Sequence, residues 1–308
     1  MPQQNTVPPL AVNRSPWTSL ALVFFLVALG AFVGQLVTSM LYLSSARGVE
    51  EIMCTALSKQ PLLVLQATTA TSAFIVAPLL YLRIFTKQGI RELFRWRQPY
   101  TAPMLVTLGL VLAFMVVDTW FIQWNMALTL PTWLRKFEVW AQEKEAALQR
   151  ITVLLTTFRS LPELGVGILV IGVIPAVGEE LLFRGLVQNI FHQLTTNVHL
   201  AIGISAFVFS AIHLQFYGFV PRFLLGMLFG YIYWWTKDLF FPIAAHLFNN
   251  TFTLLMLFLH QQDIIVQDIS TLQAPPGPVL IFFVTVVIAL ASLLQQQGKR
   301  ANACNIMH

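Results

Sequence analysis

The sequence predicts an all-α, polytopic membrane protein with about eight transmembrane helices. Three observations predict it. Only 10% of the residues are charged, against roughly a quarter in soluble globular domains. The mean hydropathy is +0.72. Apolar runs long enough to cross a bilayer, about 18 residues or more, recur along the whole chain. The net charge of +5 does not point to nucleic acid, because the basic residues cluster between apolar runs, not on one arm or face. Cys54 and Cys304 stand near opposite ends without metal-ligand neighbours and suggest neither a disulfide framework nor a zinc site.

In chain order, a tail over 1–16, with Pro2, Gln3, Gln4, Pro8 and Pro9, is expected to be disordered. Spans are expected at about 17–43, 62–82, 102–124, 162–186, 199–217, 219–236, 239–260 and 278–295. The first is too long for a signal-peptide apolar region and lacks a small-residue cleavage site, so it reads as an anchor. The first three spans make an N-terminal transmembrane unit, 17–124. The 83–100 loop carries Arg83, Lys87, Arg91, Arg95 and Arg97 against Glu92 alone, which places it, and by counting both termini, on the cytoplasmic side.

An amphipathic surface helix is expected within 125–161. There Leu134, Phe137, Trp140, Ala141, Leu148, Ile151, Leu155 and Phe158 recur at helical spacing, with Lys136, Glu143, Lys144, Glu145 and Arg150 between them. Residues 162–260 form the polar-bearing helical core, and 261–308 a last helix with a cytoplasmic tail.

A charged side chain inside a span costs roughly 2.5–3.5 kcal/mol on insertion scales, so such residues usually face the bundle interior and serve function. Spans one, two and eight have none. Span three has Asp118 near its outer end, where it is expected to snorkel to water. The middle spans hold the rest: Glu179, Glu180 and Arg184, then His213, then Arg222, then His246 and Asn250.

Their spacing is informative. Glu180 and Arg184 are four apart with the acid first, the favourable order for an ion pair on one helix face. Glu179 is turned about 100° away from Glu180, so one carboxylate can be neutralised while the other looks elsewhere. Pro175 removes a backbone hydrogen bond just before the acids and should bend the helix. Phe209 and His213 share a face, as do His246 and Asn250, whereas Asn249 is turned about 100° away and stays outside the expected site. Gly226 and Gly230 make a small-x-x-x-small pattern, which reads as close helix packing.

A carboxylate, two imidazoles and an amide suffice for hydrolysis: the acid takes a proton from water, and imidazole and amide donate to a developing oxyanion. The residues alone do not decide which glutamate is the base. They also do not settle depth, since His213 falls toward the outer end of a short span five while Glu179 and His246 lie nearer the cytoplasm. The same set offers zinc a ligand sphere, but there is no His-Glu-x-x-His on one helix and asparagine is a poor zinc ligand. The expectation is therefore no cofactor, with zinc as a minor alternative.

"EELLFR", "FSAIH" and "HLFNN", in that order and about thirty residues apart, fit Glu-Glu-x-x-x-Arg, Phe-x-x-x-His and His-x-x-x-Asn motifs. Over roughly 162–260 the chain resembles the CAAX prenyl endoprotease and bacteriocin-processing (CPBP) family of intramembrane glutamic proteases. Each motif is weak alone; three in order, each on its own span, are specific. The resemblance implies Glu179 as general base on water, helped by His213, with His246 and Asn250 on the oxyanion side and Glu180 and Arg184 in support. It implies a membrane-associated, prenylated or inserted protein or peptide as substrate, the lipid bilayer as surroundings and no nucleic acid. It places the protein in the cell membrane of a prokaryote. Two other readings stand beside it: a non-enzymatic membrane scaffold or immunity protein of the same fold, and a transporter with a buried charged pathway, which lacks inverted-repeat support.

Overall fold

The computed structural model describes residues 14–45, 58–86, 89–94, 101–266 and 273–304. Residues 1–13 of the tail expected to be disordered, and Lys87, Arg95 and Arg97 of the basic loop, lie outside the described residues. Among the described residues every regular element is helical. The long helices are α1 (Pro16–Ser45), α2 (Lys59–Phe85), α3 (Thr101–Met126), α4 (Arg135–Thr156), α5 (Leu161–Thr195), α6 (Val198–Ala211), α7 (Phe219–Thr236), α8 (Phe240–Gln261) and α9 (Gly277–Cys304).

Six of these, α1, α2, α3, α5, α8 and α9, are long and apolar enough to cross a membrane, where the sequence led us to expect about eight. The other two expected spans are present as helices but differ in kind. Helix α6 has 14 residues, about 21 Å of rise, short of a hydrocarbon core of about 30 Å. Helix α7 has 18 residues but includes Arg222 and ends on Tyr231, Tyr233, Trp234 and Trp235.

Helix α5 is the central rod. Of its apolar window 61% is buried inside the protein, against 33% or less in the other five. At 35 residues it is about 52 Å long, and it runs on to Thr195, well past the end at 186 read from the sequence. Two wide π-type turns, Ile168–Val173 and Leu181–Val187, bracket the α-helical stretch Ile174–Glu180. Such turns free backbone carbonyls, which inside a membrane must find other donors. Asn189 Nδ2 donates to the carbonyls of Arg184 (3.0 Å) and Gly185 (2.9 Å). Pro175 has no N–H to offer the Ile171 carbonyl, and Asn250 Nδ2 from α8 donates there at 3.3 Å.

Around this rod the short hairpin α6–α7 packs through its glycines. A β-carbon on Gly226 would lie 3.1 Å from Ala206 Cβ, and one on Gly230 2.8 Å from Ile202 Cγ2. Asn197 caps α6 by accepting from the N–H groups of His199 and Leu200. On the far side α3 and α9 pack together and close a core of Leu110, Val111, Leu228, Phe229, Ile232 and Leu294.

Asp118 does not snorkel to water. Helix α3 runs on for about two turns beyond it, to Met126, and the residue is only 4% exposed.

Helices α1 and α2 cross closely at two glycines. A β-carbon on Gly30 would fall 2.5 Å from the Ser72 carbonyl oxygen, and one on Gly34 2.6 Å from Thr69 Cα. Gly30→Val and Gly34→Val should each cost about 1–3 kcal/mol through overpacking, read as a lower midpoint of thermal unfolding in detergent. At Gly203, where a β-carbon would meet nothing within 4 Å, Ala should leave the midpoint unchanged or raise it.

Candidate active site

Glu179 and Glu180 follow one another on α5, and the helical turn between them sends them to different places. Glu180 is fully buried. Its Oε1 accepts from Arg184 Nη1 at 2.9 Å and from His246 Nδ1 at 2.8 Å. One carboxylate oxygen thus ties α8 to α5. Arg184 extends the tie to α7, its Nη2 donating to the Gly226 carbonyl at 2.7 Å. The guanidinium lies against two aromatic rings, 5.1 Å from the Phe209 centroid and 5.5 Å from that of Phe229, a contact that favours a desolvated cation.

The same two rings hold His246. Phe229 stacks on it with centroids 5.1 Å apart and planes 23° apart, and Phe209 meets it edge-on at 6.3 Å. A carboxylate only accepts, so the proton between His246 and Glu180 sits on Nδ1. The other ring nitrogen, Nε2, lies 3.9 Å from Glu179 Oε2, beyond direct hydrogen bonding.

Glu179 opens on a cavity of about 1310 Å³, lined also by His213, His246, Asn249 and Asn250. His213 sits just beyond the end of α6. Its Nδ1 donates to the Phe209 carbonyl at 2.7 Å, which fixes the ring and leaves Nε2 as the unprotonated nitrogen of the neutral imidazole. The depth problem posed by the sequence is thereby met: α5 is long, α6 ends at Ala211, and His213 reaches the same cavity as Glu179. Asn250 is oriented by its bond to the Ile171 carbonyl and accepts from Asn249 Nδ2 at 3.2 Å.

Every residue singled out from the sequence is therefore in this region, in two layers. Glu179, His213, His246 and Asn250 line the cavity; Glu180 and Arg184 form a buried brace behind it. Asn249, left outside the expected site, also lines the cavity, because a wide cavity spans more of a helix face than one direction. Phe229 was missed. The signal for it was faint: it sits three residues after Gly226, one turn along α7.

The roof of the cavity comes from α4. Glu138, Gln142, Glu145, Gln149 and Thr152, four and three residues apart, line it, while Trp133, Phe137 and Trp140 at that end are exposed. The far end of α4 is anchored: Lys59 Nζ donates to the Thr157 carbonyl and to Glu163, and Gln261 bonds both Thr156 and Phe158. Zinc does not fit this arrangement. Among the described residues no three His, Cys, Asp or Glu side chains are grouped to hold a metal ion.

Residues 162–252 match the family model described as "Type II CAAX prenyl endopeptidase Rce1-like". The span includes Glu179, Glu180, Arg184, His213, His246 and Asn250. The candidate membrane peptidase YdiL of Bacillus subtilis (strain 168) is 30% identical over 89 residues, 29% of this chain and 36% of that protein. The similarity thus spans about a third of the relative's length. No solved structure matches the chain. With these similarities and its apolar helices, the chain is a multi-pass membrane protein.

Removing Arg184 would leave Glu180 charged, buried and short of a partner. Arg184→Met should destabilise the protein by about 3–5 kcal/mol, and Glu180→Met in the same chain should recover part of that loss. Unfolding of the variants in detergent measures both.

Proposed function

We propose that the chain, whose residues 162–252 match the Rce1-like family model, is an intramembrane endopeptidase that cleaves membrane-associated proteins or peptides with water activated by Glu179. One observation carries the proposal. Of the two adjacent acids, Glu180 is spent on Arg184 and His246, whereas Glu179 faces a cavity shared with two imidazoles and two amides.

The chemistry follows from that division. Glu179 takes a proton from a water at the cavity wall, and the resulting hydroxide attacks the carbonyl carbon of the scissile peptide bond. His213, with its unprotonated nitrogen, shares the proton load. The developing oxyanion meets the second N–H of the Asn250 amide, whose first is held by the Ile171 carbonyl. His246 joins it once Nε2 carries a proton. The proton on Glu179 then passes to the departing nitrogen as the C–N bond breaks, leaving a carboxylic acid, which gives up its remaining proton to the amine product. Glu180 and Arg184 do no bond making; they hold His246 in register with Glu179. The substrate would be a lipidated or membrane-inserted segment, entering from the cytoplasmic half of the bilayer.

Purified protein in detergent, given a prenylated or membrane-inserted peptide, should cleave it. Glu179→Gln should lower the rate by about 10²–10⁴-fold, the range for removal of a general base. Cleavage by that variant at the wild-type rate would overturn the assignment of the base.

A further inference from the structure

The cavity is larger than the hydrolytic group needs, and its remaining charge is one-sided. Among the described residues that line it are four carboxylates, Asp118, Glu138, Glu145 and Glu179, and one guanidinium, that of Arg222. Arg222 is bonded elsewhere: Nη2 donates to Gln215 Oε1 at 2.7 Å and Nη1 to the Gly218 carbonyl at 3.3 Å. No ion pair joins it to a carboxylate within 4 Å among the described residues.

Asp118 is the most unusual of the four. It is 4% exposed, it lines the cavity, and its Oδ1 is buried with no hydrogen-bond partner. A buried polar atom without a partner is rare and calls for an explanation. Glu145, on the α4 roof, repeats the pattern: Oε1 accepts from Gln215 Nε2 at 3.1 Å, and Oε2 is buried with no partner. Gln215 links Glu145 to Arg222, and Asp118, Glu145 and Glu179 all lie within electrostatic reach of that guanidinium.

We propose that Asp118 and Glu145 form a subsite for a cationic side chain, lysine or arginine, of the peptide that occupies the cavity. The proposal deepens the peptidase reading and rests on it for the nature of the ligand. A lysine ammonium or an arginine guanidinium brings several N–H donors on a long apolar stem. It therefore satisfies the orphaned oxygens of both acids, one from the floor at α3 and one from the roof at α4, while the stem lies along the apolar wall. Glu138, the remaining acid, already accepts from the Leu130 N–H at 3.3 Å. Selection for a basic residue would thus come from two acids that take no part in the bond breaking.

Binding and cleavage test it separately. The probes are palmitoylated tetrapeptide amides of alanine and norleucine, in which lysine replaces each residue in turn. Binding is measured with Glu179→Gln protein in lipid nanodiscs, so that nothing is consumed. At one position or more, lysine should bind at least about tenfold tighter than norleucine, as for a charge-assisted hydrogen bond. Adding Asp118→Asn or Glu145→Gln should collapse that ratio toward one. The Glu145 variant, on the α4 roof, keeps the test open if the α3 variant fails to fold. No lysine preference at any position, or a preference unchanged in both variants, would overturn the proposal. Cleavage of all peptides by wild-type protein at equal rates would also overturn it and leave the peptidase reading intact. A lysine preference in binding with no cleavage of any peptide would sink the peptidase reading and leave the subsite standing.

Discussion

One carboxylate oxygen organises the middle of this protein. Glu180 Oε1 receives both the Arg184 guanidinium and the His246 imidazole, and through Arg184 it reaches the backbone of α7. Three helices meet at that point. A carboxylate with no countercharge would be prohibitive in so apolar a setting, so Glu180 needs Arg184 beside it. Two phenylalanine rings, Phe209 and Phe229, close its sides and keep water from it. What the brace leaves over is Glu179, one residue earlier and a third of a turn around, free to look into the cavity.

The backbone around the brace is shaped by the same demand for complete hydrogen bonding in a dry interior. Wide turns and a proline interrupt α5 on both sides of the acids, and each interruption exposes carbonyls that side chains then satisfy. Asn250 covers Ile171, and Asn189 covers Arg184 and Gly185. An asparagine that reads in sequence as a candidate for chemistry is therefore also a structural donor. The two roles are compatible: one N–H locks the amide in place and the other remains for the cavity.

Much of this was legible in the sequence, for physical reasons. Charged residues in apolar runs stand out because insertion penalises them, and the 3.6-residue repeat says which of them share a face. That logic paired Glu180 with Arg184, separated Glu179 from both and placed the Gly226 and Gly230 contacts. It failed where the answer depended on tertiary context. The length of α5 was underestimated at its end, because the last turns, Gln188–Thr195, carry Gln188, Asn189, His192 and Gln193 and read as a polar connection until they pack. Asp118 was expected to reach water, because closeness to a span end does not say that its side of α3 faces the protein interior. The polar stripe of α4 could not be assigned to a cavity from periodicity alone, since an amphipathic helix has two faces and the sequence does not say which one meets the protein.

The division of labour between the two glutamates is the central claim, and thermal unfolding of two conservative variants, Glu179→Gln and Glu180→Gln, measured side by side in the same detergent, tests it most directly. The account predicts a clear loss of stability for Glu180→Gln, whose carboxylate carries the brace, and little or none for Glu179→Gln. The opposite ranking, with Glu179→Gln the less stable of the two, would contradict it.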